Sequence, residues 1–171
     1  MRSDARRNRD RLVAVAGEVV AEQGADASLE EIARRAEVGS ATLHRHFRSR
    51  QELLEAVFHD RVTALCAHGE NLLTAPDAGK ALTTWLHAVV AHATTNRGLS
   101  PTINAGTAAH QAILTTGQAL LTRAQAAHAV RQDVPITDLF RLVNAISLAT
   151  EQDPTQAARL LTLALEGVGR R

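Results

Sequence analysis

Apolar positions recur every three or four residues along most of the chain, the periodicity of helices with one buried face rather than the alternation of strands. Leu12, Val15, Ala16, Val19 and Val20 share one face of a first helix over about residues 4–23, and Gly24 stops it just past its last turn. Ser28 opens a short second helix, with Glu31 three residues on. That spacing predicts a capping box, in which the hydroxyl and the carboxylate each satisfy an orphan N–H. Ile32, Ala33 and Ala36 form its buried stripe. Glu37-Val38-Gly39 makes a tight turn, and Ser40 caps a third helix whose Leu43 and Phe47 point the same way.

A fourth helix begins after Ser49, carries Leu53, Leu54, Val57, Phe58, Val62, Leu65 and Cys66, and runs to about residue 73. Thr74 to Gly79, with Pro76, reads as a loop. A fifth helix follows over about 80–95, then a break at "NRGLSP" and a short segment from Pro101. The next helix covers about 108–129, and "RQDVP" ends it. The last two helices span about 136–150 and 154–168, the second with Asp153 as N-cap and Pro154 in its first position. This final pair is apolar nearly all round, and a helix without a polar face must be covered on both sides. A second copy of the chain, brought in by twofold symmetry, is the natural cover. The interface is then expected at Leu139, Leu142, Val143, Ile146, Leu160, Leu161, Ala164 and Leu165. The alternative is a pair simply central to the chain's own fold.

Composition sharpens this picture in a few places. The 171 residues fit one ordinary domain, or a small module joined to a larger one. Hydrophobic residues make up 45% and aromatics only 2%, so the core is built of alanine, leucine and valine. A single cysteine excludes an intramolecular disulfide and a thiolate zinc cluster. The net charge of +1 excludes no partner, but its distribution is uneven. Arg2, Arg6, Arg7, Arg9 and Arg11 face only Asp4 and Asp10, which makes either a solvated arm or a phosphate-binding one. No apolar run reaches the roughly 20 residues of a membrane span, and the start lacks the apolar core of a signal peptide. A cytoplasmic protein with no membrane partner is expected.

The third helix holds the candidate chemistry. Opposite Leu43 and Phe47 lie Ala41 and Arg45, flanked by Thr42 and His44, with His46 nearer the buried edge. A small side chain allows close approach to a base pair. Thr42 offers a hydroxyl and a methyl, and Arg45 can reach guanine or phosphate. His44 and His46 can donate to phosphate oxygens. Exposed N–H groups at Ser28 and at the start of the fourth helix, near Arg50, can hold phosphates as well. One such residue on a surface is ordinarily just solvated. Together, behind two short helices joined by a tight turn, they make a helix-turn-helix face.

The stretch "ASLEEIARRAEVGSATLHRHFRSRQELLEAVF" closely resembles the DNA-binding segment of the TetR/AcrR family of bacterial transcriptional regulators. Ser28, Ile32, Ala33, Ala36, Val38, Thr42, Leu43, His46, Phe47 and Leu53 match the family pattern in register. Three positions depart from it: Glu37 replaces the turn glycine, His44 a tyrosine, and Arg50 a lysine. The resemblance implies an all-α fold, with a three-helix DNA-binding domain over residues 1–48 and a larger helical regulatory and dimerisation domain over 49–171. It implies a homodimeric repressor that binds a palindromic double-stranded DNA operator and is released by a small-molecule effector. The DNA-contacting residues are then Arg6, Arg7, Ser28, Ser40, Ala41, Thr42, His44, Arg45, His46 and Arg50. In the family the fourth, fifth and seventh helices usually enclose the effector. Here that places Cys66, Gly69, Trp85, Val89, His92, Ile113 and Gly117 around the ligand, and the only tryptophan beside a histidine suggests a flat or mostly apolar ligand with one polar group. Core packing for Trp85, and a neighbour that satisfies His92, is the alternative.

Other chemistries find little support. His87 and His92 are wrongly spaced for one helix face, and no H-E-x-x-H motif or cysteine pair occurs, so no metal or cofactor is expected. Cys66 on an apolar face reads as inert. Nothing resembles a Ser/His/Asp set, a glycine-rich phosphate loop or paired carboxylates, so an enzyme is not expected. A helical interaction protein whose DNA-binding face has decayed stays open, with Glu37 and His44 as the hints.

Overall fold

The computed structural model describes residues 2–24, 27–96, 108–150 and 153–168. Eight helices occur among them: α1 (Arg2–Gln23), α2 (Leu29–Arg35), α3 (Ser40–His46), α4 (Arg50–Leu72), α5 (Ala78–Thr95), α6 (Ala108–Ala126), α7 (Ile136–Ala149) and α8 (Pro154–Val168). The fold is all-α. The expected break beyond residue 96 and the short segment at Pro101 lie outside the described residues. No described helix is long and apolar enough to cross a membrane.

The chain divides into two compact units, with the boundary inside α4 after Arg61. The expectation drew that line at residue 48. The first unit extends further because Leu53 and Val57 of α4 are sealed into its core, at 0% and 1% exposure. The α1 stripe fills that core with Leu12, Ala16 and Val19, and α2 and α3 add Ile32, Leu43 and Phe47. α1, α2 and α3 pack against one another.

Local caps differ from the spacing-based expectation in two places. Ser28 is the N-cap of α2 and its Oγ accepts from the Glu31 N–H at 3.5 Å. The reciprocal half of the capping box is not made. The Glu31 carboxylate instead accepts from Arg34 Nε and Nη2, each at 2.8 Å, and from Arg35 Nε at 2.7 Å. Two charged, forked donors outcompete one neutral N–H. Ser40 does not cap α3 either: the N-cap is Gly39, whose carbonyl accepts from Thr42 and Leu43 at 2.8 and 3.1 Å. Asp77 caps α5 through the Lys80 N–H at 2.9 Å, and Asp153 caps α8 through Thr155 and Gln156.

Two helices end on left-handed residues that are not glycine. At α2, Val38 N–H reaches Ala33 O at 3.0 Å and Glu37 N–H reaches Arg34 O at 3.2 Å, with Glu37 at φ 54°. At α6, His128 takes φ 57° with the same bond pair, to Ala124 and Gln125, which ends the helix at Ala126 instead of the expected 129. A left-handed side-chain residue pays a steric cost that glycine avoids. Glu37→Gly is therefore expected to stabilise the first unit by up to about 1 kcal/mol, read as a higher urea midpoint. A lowered midpoint would mean the Glu37 side chain contributes more than its backbone costs.

In the second unit α5 is central, packed against α6, α7 and α8. It buries Ala81, Leu82, Trp85, Leu86, Val89 and Val90. The expectation that α7 and α8 are apolar all round does not hold. Each turns one apolar face inward and a mixed face outward, with Thr137, Asp138, Arg141 and Asn144 exposed on α7 and Arg159, Thr162 and Glu166 on α8. Leu139, Val143, Ile146 and Leu161 are buried at 3, 2, 8 and 0% exposure inside the single chain. They cover this chain's own core and present little or no surface to a second copy. Leu142, Leu160, Ala164 and Leu165 are half-buried, whereas Leu148 and Leu163 are 59% and 56% exposed.

Candidate nucleic-acid interface

Seven residues make too short a helix to stand alone in water, so α3 depends on its two anchors. Leu43 and Phe47, each 1% exposed, seat it on the first unit's core. The Arg9 guanidinium lies over the Phe47 ring, 5.4 Å from its centroid, and fastens α1 beside the end of α3. With that side buried, Ser40, Ala41, His44 and Arg45 are exposed, and Thr42 and His46 are half-buried.

Arg45 is held in place. Its Nη2 donates to Thr42 Oγ1 at 2.8 Å, one turn back along the helix. This direction is the one in which helical side chains lean. The Thr42 oxygen takes one N–H of a five-donor group, leaving enough to address two acceptors on a base edge. Beside it, Ala41 is small and exposed, and Thr42 retains its methyl.

Carboxylates border this face. The Ser28 hydroxyl donates to Glu30 Oε2 at 2.7 Å. That bond, with the Glu30 backbone N–H and the nearby His44, holds the Glu30 carboxyl below its usual range. Hydrogen bonds from Arg34 and Arg35 bring Glu31 down to about 2. Both groups are therefore anionic at neutral pH and occupy the first turn of α2, where the sequence suggested a phosphate site at Ser28. The start of α4 is engaged too. Ser49 Oγ accepts from Glu52 N–H at 3.2 Å, and Glu52 Oε2 accepts from Arg48 N–H at 2.8 Å. Arg50 is half-buried and its Nη2 donates to Ala27 O at 2.6 Å, fixing α4 to the segment that enters α2.

The basic lead-in is helical, not an arm. Arg6 and Arg7 are exposed on α1 and pair within the helix, Arg6 with Asp10 at 4.0 Å and Arg7 with Asp4 at 2.5 Å. Arg35 links α2 to Glu22 of α1 at 2.8 Å. Arg48, exposed just past α3, was not singled out from the sequence. Its position one residue after the buried Phe47 is the signal that could have found it.

In the second unit, the residues expected around an effector are close-packed. Trp85 is 0% exposed and its Nε1 donates to Leu65 O at 3.0 Å. Phe140 meets it edge-on with centroids 6.1 Å apart. A Cβ on Gly69 would run into Thr116 Cγ2 and stand 2.7 Å from Trp85 Nε1, and one on Gly117 would stand 2.8 Å from Trp85 Cζ3. Both positions need glycine because the indole, joined at Gly69 by the Thr116 methyl, fills the space. Val89 and Ile113 are buried at 4% and 8%, and Cys66 is half-buried. The Asn96 side-chain amide reaches His92 O at 2.8 Å and His92 Nδ1 at 3.0 Å.

Comparison with known proteins agrees with this geometry. Residues 12–57 match the family described as bacterial regulatory proteins, tetR family, and residues 77–170 match the transcriptional regulator SbtR-like C-terminal domain. Among solved structures, the TetR transcriptional regulator SCO0520 from Streptomyces coelicolor is 36% identical, with 94% of this chain and 98% of that one covered and a TM-score of 0.81. The TetR transcription regulatory protein from Mycobacterium vanbaalenii is 33% identical over 99% of both chains, with a TM-score of 0.79. RolR, solved in complex with resorcinol, shares the fold at 21% identity, 95% and 90% coverage and a TM-score of 0.59. No curated protein matches the chain.

Proposed function

The chain belongs to the TetR family of transcriptional regulators, with a DNA-binding helix-turn-helix followed by a helical C-terminal domain, and from that premise we propose that it is a cytoplasmic homodimeric repressor. Two copies of α3 enter successive major grooves of a palindromic operator, and a small molecule bound in the C-terminal domain releases the complex. The observation that carries this reading is the exposed face of α3, with Thr42 bracing Arg45 above a fully buried Leu43 and Phe47. Arg45 addresses a base edge, Ala41 and the Thr42 methyl pack against the neighbouring pair, and Ser40, His44, His46 and Arg48 address phosphates. Arg6 and Arg7 of α1 add positive potential near the duplex, and Ser28 and Arg50 hold the frame.

The second copy docks on the outward faces of α7 and α8. On α8, Leu160, Leu163, Ala164 and Gly167 follow helical spacing, and none of them is buried. Leu163→Asp is expected to give monomers in sedimentation and to abolish the gel shift that the parent chain gives with DNA from upstream of its own coding region. Phosphate neutralisation also makes that shift fall steeply between low and moderate salt. A Leu163→Asp dimer would move the interface elsewhere, and a parent chain that shifts no duplex would contradict the repressor reading.

A further inference from the structure

The second unit contains a cleft of about 170 Å³, partly open to solvent and not lined by Trp85, between the first half of α5, the α6–α7 connection, the start of α7 and the end of α8. Leu82, Leu86, Leu139 and Leu165 line it, with Val130 from the connection and Thr83 at its edge. No charged side chain is among its lining residues. The one hydroxyl there is already used, because Thr83 Oγ1 donates to Gly79 O at 2.9 Å within α5.

We propose that this cavity is a binding site for a small, uncharged, apolar molecule of no more than about ten non-hydrogen atoms. It deepens the small-molecule half of the repressor reading, and rests on it for any regulatory consequence. The size argument is direct. A space of roughly 150 Å³ accommodates a benzene ring, and this cleft, open to water on one side, is slightly larger. The chemistry follows from the lining. Its leucine side chains present apolar surface to water there, and an apolar occupant removes that surface from water. A charged occupant would lose its hydration and find no partner. The stripe around Trp85 does not compete as a site, since the indole already fills it between Gly69 and Gly117. The location also matters: Leu139 belongs to α7 and Leu165 to α8, the two helices whose outer faces are assigned to the second copy.

The test is fluorine NMR on the full chain, with fluorobenzene and 4-fluorobenzoate as probes. Fluorobenzene is expected to bind saturably with a Kd of about 1 mM or tighter, and the benzoate at least about tenfold more weakly. Val130→Phe places a ring in the cavity and is expected to weaken fluorobenzene binding by at least about tenfold, with helical circular dichroism unchanged. Should that variant misfold, Leu165→Phe fills the same space from α8. Absence of saturable fluorobenzene binding, equal binding of the benzoate, or parental affinity in a folded filled variant overturns the proposal. Gel shifts keep the two readings apart. A chain that shifts its duplex but ignores fluorobenzene loses the cavity and keeps the reading head; one that takes fluorobenzene but shifts nothing does the reverse.

Discussion

Trp85→Ala is expected to destabilise the second unit by about 3–5 kcal/mol, the largest single effect in the molecule. The indole is fully enclosed, its N–H is bonded to Leu65 O, and it packs edge-on against Phe140. Removing it leaves a void, because the glycines at 69 and 117 have no side chains that could move in to fill the space. A loss of that size is a large fraction of a domain's total stability, typically about 5–15 kcal/mol. The check is urea denaturation followed by circular dichroism, since the substitution removes the only tryptophan. Trp85→Phe separates the two contributions: it keeps most of the packing and loses the hydrogen bond, so its cost should be markedly smaller. An unchanged midpoint for Trp85→Ala would mean that the space is not filled as described.

The second large effect belongs to the reading helix. Arg45→Ala is expected to cost about 1–3 kcal/mol of discrimination at one base pair in each half-site, with both half-sites affected in a dimer. On the proposed reading, Thr42 acts on the same base pair through Arg45. Thr42→Val keeps the shape and the methyl but removes the acceptor that holds the guanidinium at 2.8 Å, so it should relax preference at that pair only in part. Thr42→Ser should restore it. His44→Ala should instead weaken binding to all sequences alike, as loss of a phosphate contact does. The check is binding to duplexes that vary one position at a time. Equal loss across every sequence for Arg45→Ala would make Arg45 a phosphate contact as well.

How much of this could be read from the sequence depends on which interactions decide each feature. Helix faces are decided by spacing alone, and so the stripes of α1, α2 and α3 are legible: Leu12, Ala16, Val19, Ile32, Leu43 and Phe47 all enter one core. Competition between partners is not legible. Glu31 has the right spacing for a capping box, but Arg34 and Arg35 lie within reach and hold it more strongly. The end of α6 carries no glycine or proline to mark it, because His128 adopts the left-handed backbone itself. Long-range packing is the hardest to read. Trp85 and the glycines at 69 and 117 stand far apart in the chain, and only the fold shows that the indole fills the space between them. The apolar count of α7 and α8 likewise gives quantity without direction, which is why Leu161 belongs to the core and Leu163 to the surface.

The central claim is that two copies of α3 read one duplex together. Selection of bound duplexes from a pool with a randomised core tests it most directly. The account predicts enrichment of a twofold-symmetric sequence whose half-sites are centred about one helical turn, or a multiple of it, apart, and loss of that enrichment with Arg45→Ala. Recovery of unsymmetric sequences, or of no preferred sequence at all, would contradict it.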